Sequence, residues 1–127
     1  WPDHCVQGTR GAELHPGLRV PHAELILRKG FRAEVDSYSA FFENDRATPT
    51  GLAGYLRERA FRRLFLAGLA LDYCVRFSAE DAVKSGFAAT VVAEACRGIG
   101  DETIAAARQS FAALGVAIAG SDGIGAG

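Results

Sequence analysis

Cys74, Lys29 and Glu94 are the residues whose type and placement suit chemistry. Cys74 follows an apolar run, Leu64-Phe65-Leu66-Ala67, and a turn rich in small residues, Gly68-Leu69-Ala70-Leu71-Asp72-Tyr73. The run has strand length and no polar residue, which predicts a parallel strand covered on both faces. After the turn the period changes. Val75, Ala79, Ala82, Val83 and Gly86 recur on one face of a helix. Cys74 is therefore expected at the carboxyl end of a strand and the N-terminus of a helix. Unpaired backbone N–H groups and the positive end of the helix dipole favour a thiolate there. The same groups can hold an oxyanion, so the chemistry that fits is nucleophilic attack by sulfur. The competing reading is a small buried apolar residue, which is what most free cysteines are.

The elements that must position these groups follow from the chain in order. Trp1 to Pro21 reads as loop, with Gly8, Gly11 and His15-Pro16-Gly17 as breakers. Ala23 to Leu27 is a short strand candidate ending at Arg28-Lys29-Gly30. Phe31 to Asn44 is irregular but carries Phe31, Tyr38, Phe41 and Phe42, aromatics that either line a pocket or pack beneath a loop. Thr48-Pro49 reads as an N-cap and a first helical proline, followed by the stripe Leu52, Tyr55, Leu56. Ala88 to Ala93 is a further strand, with Glu94-Ala95-Cys96-Arg97-Gly98 at its carboxyl end. Asp101 can cap a helix running to about Leu114, with Ile104, Ala107, Phe111 and Leu114 inward. Val116 to Ala119 is a last strand, and residues 121–127 form a Gly-rich, flexible tail. This alternation predicts an α/β fold: a parallel, doubly wound sheet in a three-layer αβα arrangement. Sites in such sheets form beyond the carboxyl ends of the strands, where Lys29, Cys74 and Glu94 are expected.

Composition bounds the function. The 127 residues suffice for one domain, and 49% hydrophobic with 23% charged residues is ordinary for a globular chain. A net charge of -1 supports neither nucleic-acid nor anionic-membrane binding. No apolar run approaches a transmembrane span. Cys5, Cys74 and Cys96 are odd in number and widely spaced, which argues against a disulfide framework and for a reducing, cytoplasmic setting. No GxGxxG or Walker pattern supports a nucleotide site.

Gly68-Leu69-Ala70-Leu71-Asp72-Tyr73-Cys74-Val75 resembles the nucleophile segment of the isochorismatase-like cysteine hydrolases. Trp1-Pro2-Asp3-His4-Cys5-Val6-Gln7-Gly8-Thr9-Arg10-Gly11 is similar to a motif of the nicotinamidases within that family. Lys29-Gly30, Asp36-Ser37-Tyr38-Ser39-Ala40-Phe41 and Glu94-Ala95-Cys96-Arg97-Gly98 match as well, with Glu94 where the family usually has Asp. The resemblance implies an isochorismatase-like, Rossmann-like fold, residues 1–120 being the C-terminal part of one hydrolase domain.

It also implies hydrolysis of nicotinamide to nicotinate and ammonia through a cysteine thioester, in NAD salvage. Cys74 would be the nucleophile and Lys29 the triad lysine. A cis peptide at Leu69–Ala70 would aim the N–H groups of Ala70 and Cys74 at the oxyanion. Trp1, Tyr38 and Ala70 would contact the pyridine ring, and His4 would bind one divalent metal ion beside it, zinc first, with iron or manganese as alternatives. Cys5 reads as packing. The family's triad aspartate and remaining metal ligands precede the Trp-Pro motif, so a separate N-terminal segment is an expected partner, and the chain alone is expected to be poorly active. Two competing readings are an amidase of the same superfamily acting on carbamoyl or ureido compounds, and an inactive fragment or interaction module. Oligomeric state, homo-oligomers included, is left open.

Overall fold

The computed structural model describes residues 1–120 and 122. The expected tail at 121–127 lies outside the described residues, Asp122 apart. Three parallel strands, β1 (Arg63–Leu69), β2 (Ala88–Arg97) and β3 (Ala117–Ala119), form a sheet in the order β1-β2-β3. Three helices accompany it: α1 (Leu52–Glu58), α2 (Arg76–Lys84) and α3 (Asp101–Leu114). This is the parallel α/β architecture that the strand–helix alternation predicts. Among the described residues, no helix is long and apolar enough to cross a membrane.

The helical period places the core. Val75, Ala79 and Ala82 of the α2 stripe are buried, as are Ala107 and Phe111 of the α3 stripe. They pack with Val91 and Ala89 of β2 and with the partly buried Leu64 and Leu66 of β1. Glu80 links the two helices: its Oε1 accepts from Ser110 Oγ at 2.6 Å and from Arg76 Nε at 2.8 Å. Gly115 ends α3 in the left-handed conformation at φ 75°, donating its N–H to Phe111 O. Glycine meets no Cβ penalty there.

Four expectations change. First, β1 alternates rather than being covered throughout. Leu64 and Leu66 turn toward the core, while Phe65 is 45% and Leu69 73% exposed. The helices described here pack under one row of its side chains only. Second, Ala23–Leu27 is not a strand. Leu25 and Ile26 are exposed, and no described strand pairs with the segment, so the ladder that defines a strand is absent. Third, Thr48-Pro49 does not open α1. The Thr48 hydroxyl already donates to Asp45 Oδ2 at 2.6 Å, and Pro49 bridges to Phe42. Gly51, at φ 96°, precedes the helix instead, and Thr50 Oγ1 accepts from Leu52 N. Fourth, β2 runs on through Glu94 to Arg97. The pairing slips from Leu66↔Val91 to Gly68↔Cys96, so β2 bulges over the intervening residues. Glu94 thus sits in an irregular stretch of strand rather than beyond its end.

Candidate active site

The turn after β1 builds the sulfur's position. Gly68 takes φ 118°, a conformation that side chains rarely adopt, and the Leu69–Ala70 peptide is cis. A wide helical turn, Leu71–Val75, then leads directly into α2, with Val75 N and Tyr73 N both donating to Ala70 O at 3.1 Å. Cys74 is half-buried in this turn, one residue-pair before α2 begins, which matches its expected place at a strand end and helix start. Wide turns of this kind recur at functional sites.

Asp72 fastens the turn to the start of α3. Its carboxylate is 2% exposed. It accepts from Ile99 N at 3.0 and 3.2 Å, from Gly100 N at 3.2 Å and from Thr103 Oγ1 at 2.6 Å. Burial pushes this carboxyl up, but the donors from Thr103, Ile99 and Gly100 outweigh it and hold it below its ordinary 3.8. Gly98 leaves room for the arrangement, since a Cβ there would press into the Ile104 side chain.

Lys29 arrives from a loop, not from a strand end. Arg28 Nη1 donates to Ala12 O at 2.7 Å and Gln7 Nε2 to Gly30 O at 3.2 Å, which tie the loop to the N-terminal segment. Lys29 Nζ lies 3.6 Å from Cys74 Sγ and also donates to Ser37 O. A cation this close to the sulfur stabilises the thiolate, the reactive form of cysteine.

These groups border one cavity of about 660 Å³, lined by Trp1, His4, Lys29, Tyr38, Ala70 and Cys74 among others. Trp1, His4, Lys29, Tyr38, Ala70 and Cys74, all expected at the site from the sequence, are therefore at this cavity. Glu94 is not among the described residues lining it. The aromatic wall is larger than the sequence suggested. Trp1 Nε1 donates to the Tyr38 hydroxyl at 2.9 Å, and the Trp1 ring meets Tyr73 edge-on at 5.4 Å. Tyr38 in turn meets Tyr73 at 5.6 Å and stacks on Phe77 at 5.6 Å. Tyr73, next to Cys74 in sequence, was the missed signal. Ser37 was missed too: its buried hydroxyl lines the cavity and has no hydrogen-bond partner among the described residues. Cys5 is exposed at φ 48° and borders the cavity, so it is not a packing residue. The segment that carries it runs over the surface, where there is no core for the thiol to enter.

His4 Nδ1 lies 2.8 Å from Pro2 O. A carbonyl only accepts, so Nδ1 carries the proton and Nε2 of the neutral ring is left with the lone pair a metal needs. One imidazole falls short of three protein ligands. No group of three His, Cys, Asp or Glu among the described residues could hold a metal ion. These residues do not by themselves make a metal centre.

Residues 1–122 match the family described as Isochorismatase domain. The chain is 56% identical over 99 residues to the nicotinamidase of Acinetobacter baylyi, covering 78% of this chain and 46% of that protein. The chain thus spans about half the length of this curated relative. The fold superposes on the structure titled "Acinetobacter baumanii nicotinamidase pyrazinamidease" with TM-score 0.95 at 48% identity, covering 98% of this chain and 60% of that one. It superposes on a pyrazinamidase of Pyrococcus horikoshii in complex with zinc with TM-score 0.82 at 34% identity, covering 94% and 63%. With a matching fold and a family match along nearly all its length, the chain belongs to the isochorismatase family.

Proposed function

We propose that this cavity hydrolyses nicotinamide to nicotinate and ammonia through a thioester on Cys74. The observation that carries the reading is the 3.6 Å approach of Lys29 Nζ to Cys74 Sγ at the floor of an aromatic-walled cavity. The names of the most similar relatives support the substrate class.

In this reading the Cys74 thiolate attacks the amide carbon and forms a C–S bond. The charge that develops on the amide oxygen is held by the backbone N–H groups of Ala70 and Cys74. The C–N bond then breaks, and nitrogen leaves as ammonia after taking a proton from solvent water. Water cleaves the thioester, giving nicotinate and the Cys74 thiolate and returning protons to solvent. Lys29 Nζ lies beside the sulfur, where its positive charge faces the attacking thiolate. Trp1 and Tyr38, with Tyr73 beside them, stack against the flat ring. This wall favours a pyridine substrate over small carbamoyl or ureido compounds, which offer no ring to stack. The nicotinate formed would serve NAD salvage in the cytoplasm. His4 is proposed as one ligand of a divalent ion, zinc by analogy with the Pyrococcus horikoshii protein. No step above passes through that ion.

The covalent step is tested by acid quenching during turnover, followed by peptide mass spectrometry. A nicotinoyl group on the Cys74 peptide is the expected result. Nicotinate production with Cys74 always unmodified, and with Cys74→Ala turning over as fast, would refute the mechanism.

A further inference from the structure

Tyr38 also borders a second and smaller cavity of about 240 Å³, which Trp1 does not line. Its polar lining comes from Ser39, Glu43, Asn44, Arg46 and Asp81, and Phe77 closes it with Tyr38. Glu43 is 1% exposed, and neither of its carboxylate oxygens has a hydrogen-bond partner among the described residues. An ionised carboxylate is rarely buried without a compensating charge or donors, because its lost hydration must be replaced. The cation lining the cavity does not supply them. Arg46 Nη1 is 3.8 Å from Asp81 Oδ1, not paired with Glu43, and its guanidinium lies 5.7 Å from the Phe77 ring centre. Arg46 thus faces Asp81, and the cavity lining sets two carboxylates, Glu43 and Asp81, against one guanidinium.

We propose that this cavity binds one monovalent cation, with Glu43 as its charged ligand. Neutral oxygens complete the site. Ser39 Oγ accepts from Phe41 N at 3.0 Å, and Asn44 Oδ1 accepts from Tyr38 N at 3.2 Å. Each keeps a second lone pair for a cation. The charge balance selects a monovalent ion, since divalent cations are held by more carboxylates than one. Potassium and ammonium share this chemistry, being singly charged and similar in size. The site is distinct from the Cys74 cavity, and the proposal does not depend on the hydrolase reading.

Thallium(I), a potassium surrogate, is titrated into the protein and followed by thallium NMR, beside Glu43→Gln. The expected result is one saturable bound signal in the parent and its loss in the variant. Potassium and ammonium are then added as competitors. Displacement by both assigns a general monovalent site, and displacement by ammonium alone assigns it to ammonium. Tetramethylammonium, whose methyl groups keep oxygen ligands from its charge, displaces nothing. Independently, the parent's melting temperature should be higher in potassium chloride than in tetramethylammonium chloride at equal ionic strength. No saturable thallium signal, equal binding by Glu43→Gln, or identical melting in the two salts would overturn the proposal.

Discussion

Replacing Asp72 should unfasten the nucleophile turn from α3. The buried carboxylate receives two backbone N–H groups, from Ile99 and Gly100, and the Thr103 hydroxyl. In Asp72→Ala, Thr103 retains Gly100 O at 2.9 Å, so the two N–H groups bear most of the loss. At roughly 1–3 kcal/mol for each donor left without a partner, the variant should lose about 3–4 kcal/mol. Asp72→Asn keeps one oxygen and should lose about half of that. Urea titration at neutral pH measures both, with an unchanged m-value showing that the same unit unfolds. The pH arm has a definite sign. The folded-state carboxyl sits below its ordinary 3.8, so the unfolded chain binds the proton more readily. The stability Asp72 contributes is thus complete above that value and is lost as pH falls below it, through the lower folded value. Asp45, held at about 2 by Thr48 donors, and Glu80 titrate in the same direction. The difference between parent and Asp72→Asn, not the parent curve alone, isolates Asp72. A loss under about 0.5 kcal/mol in Asp72→Ala, the usual range for an unremarkable surface change, would refute the fastening role.

Lys29→Ala should lower kcat/KM by a factor on the order of 10² or more, the usual scale for removing a positioned charge-stabilising group, as measured by coupled ammonia assay. Wild-type rates would return Lys29 to an ordinary loop lysine. His4→Ala should lower the divalent metal bound per chain after equilibration with zinc, measured by elemental analysis; unchanged stoichiometry would remove His4 from the metal proposal. Site-resolved alkylation of the native protein should label exposed Cys5 and half-buried Cys74, while buried Cys96 reacts only in denaturant. Early labelling of Cys96 would contradict its packing in the core.

Periodicity made the helices legible. The stripes through Val75, Ala79 and Ala82 and through Ala107 and Phe111 carried enough apolar repeats to fix both face and type. Short apolar runs did not: Ala23–Leu27 has strand composition, but a strand exists only with a partner to pair with. The bulge that shifts Glu94 is equally invisible in sequence, because it depends on how β2 meets β1. At the site, Cys74 was readable from the strand-to-helix transition, whereas the strand end expected before Lys29 is a loop and its motif is what marks it. Its approach to the sulfur depends on loop contacts from Gln7 and Arg28 to distant carbonyls. Glu43 carried no sequence signal, since a glutamate in a polar loop reads as solvated until the fold buries it.

The central claim is that Cys74 attacks the amide of nicotinamide. Ammonia release from nicotinamide, measured for the folded parent beside Cys74→Ala, tests it most directly. The account predicts ammonia and nicotinate in equal amounts from the parent and nothing above background from the variant. Equal release from parent and variant would contradict it.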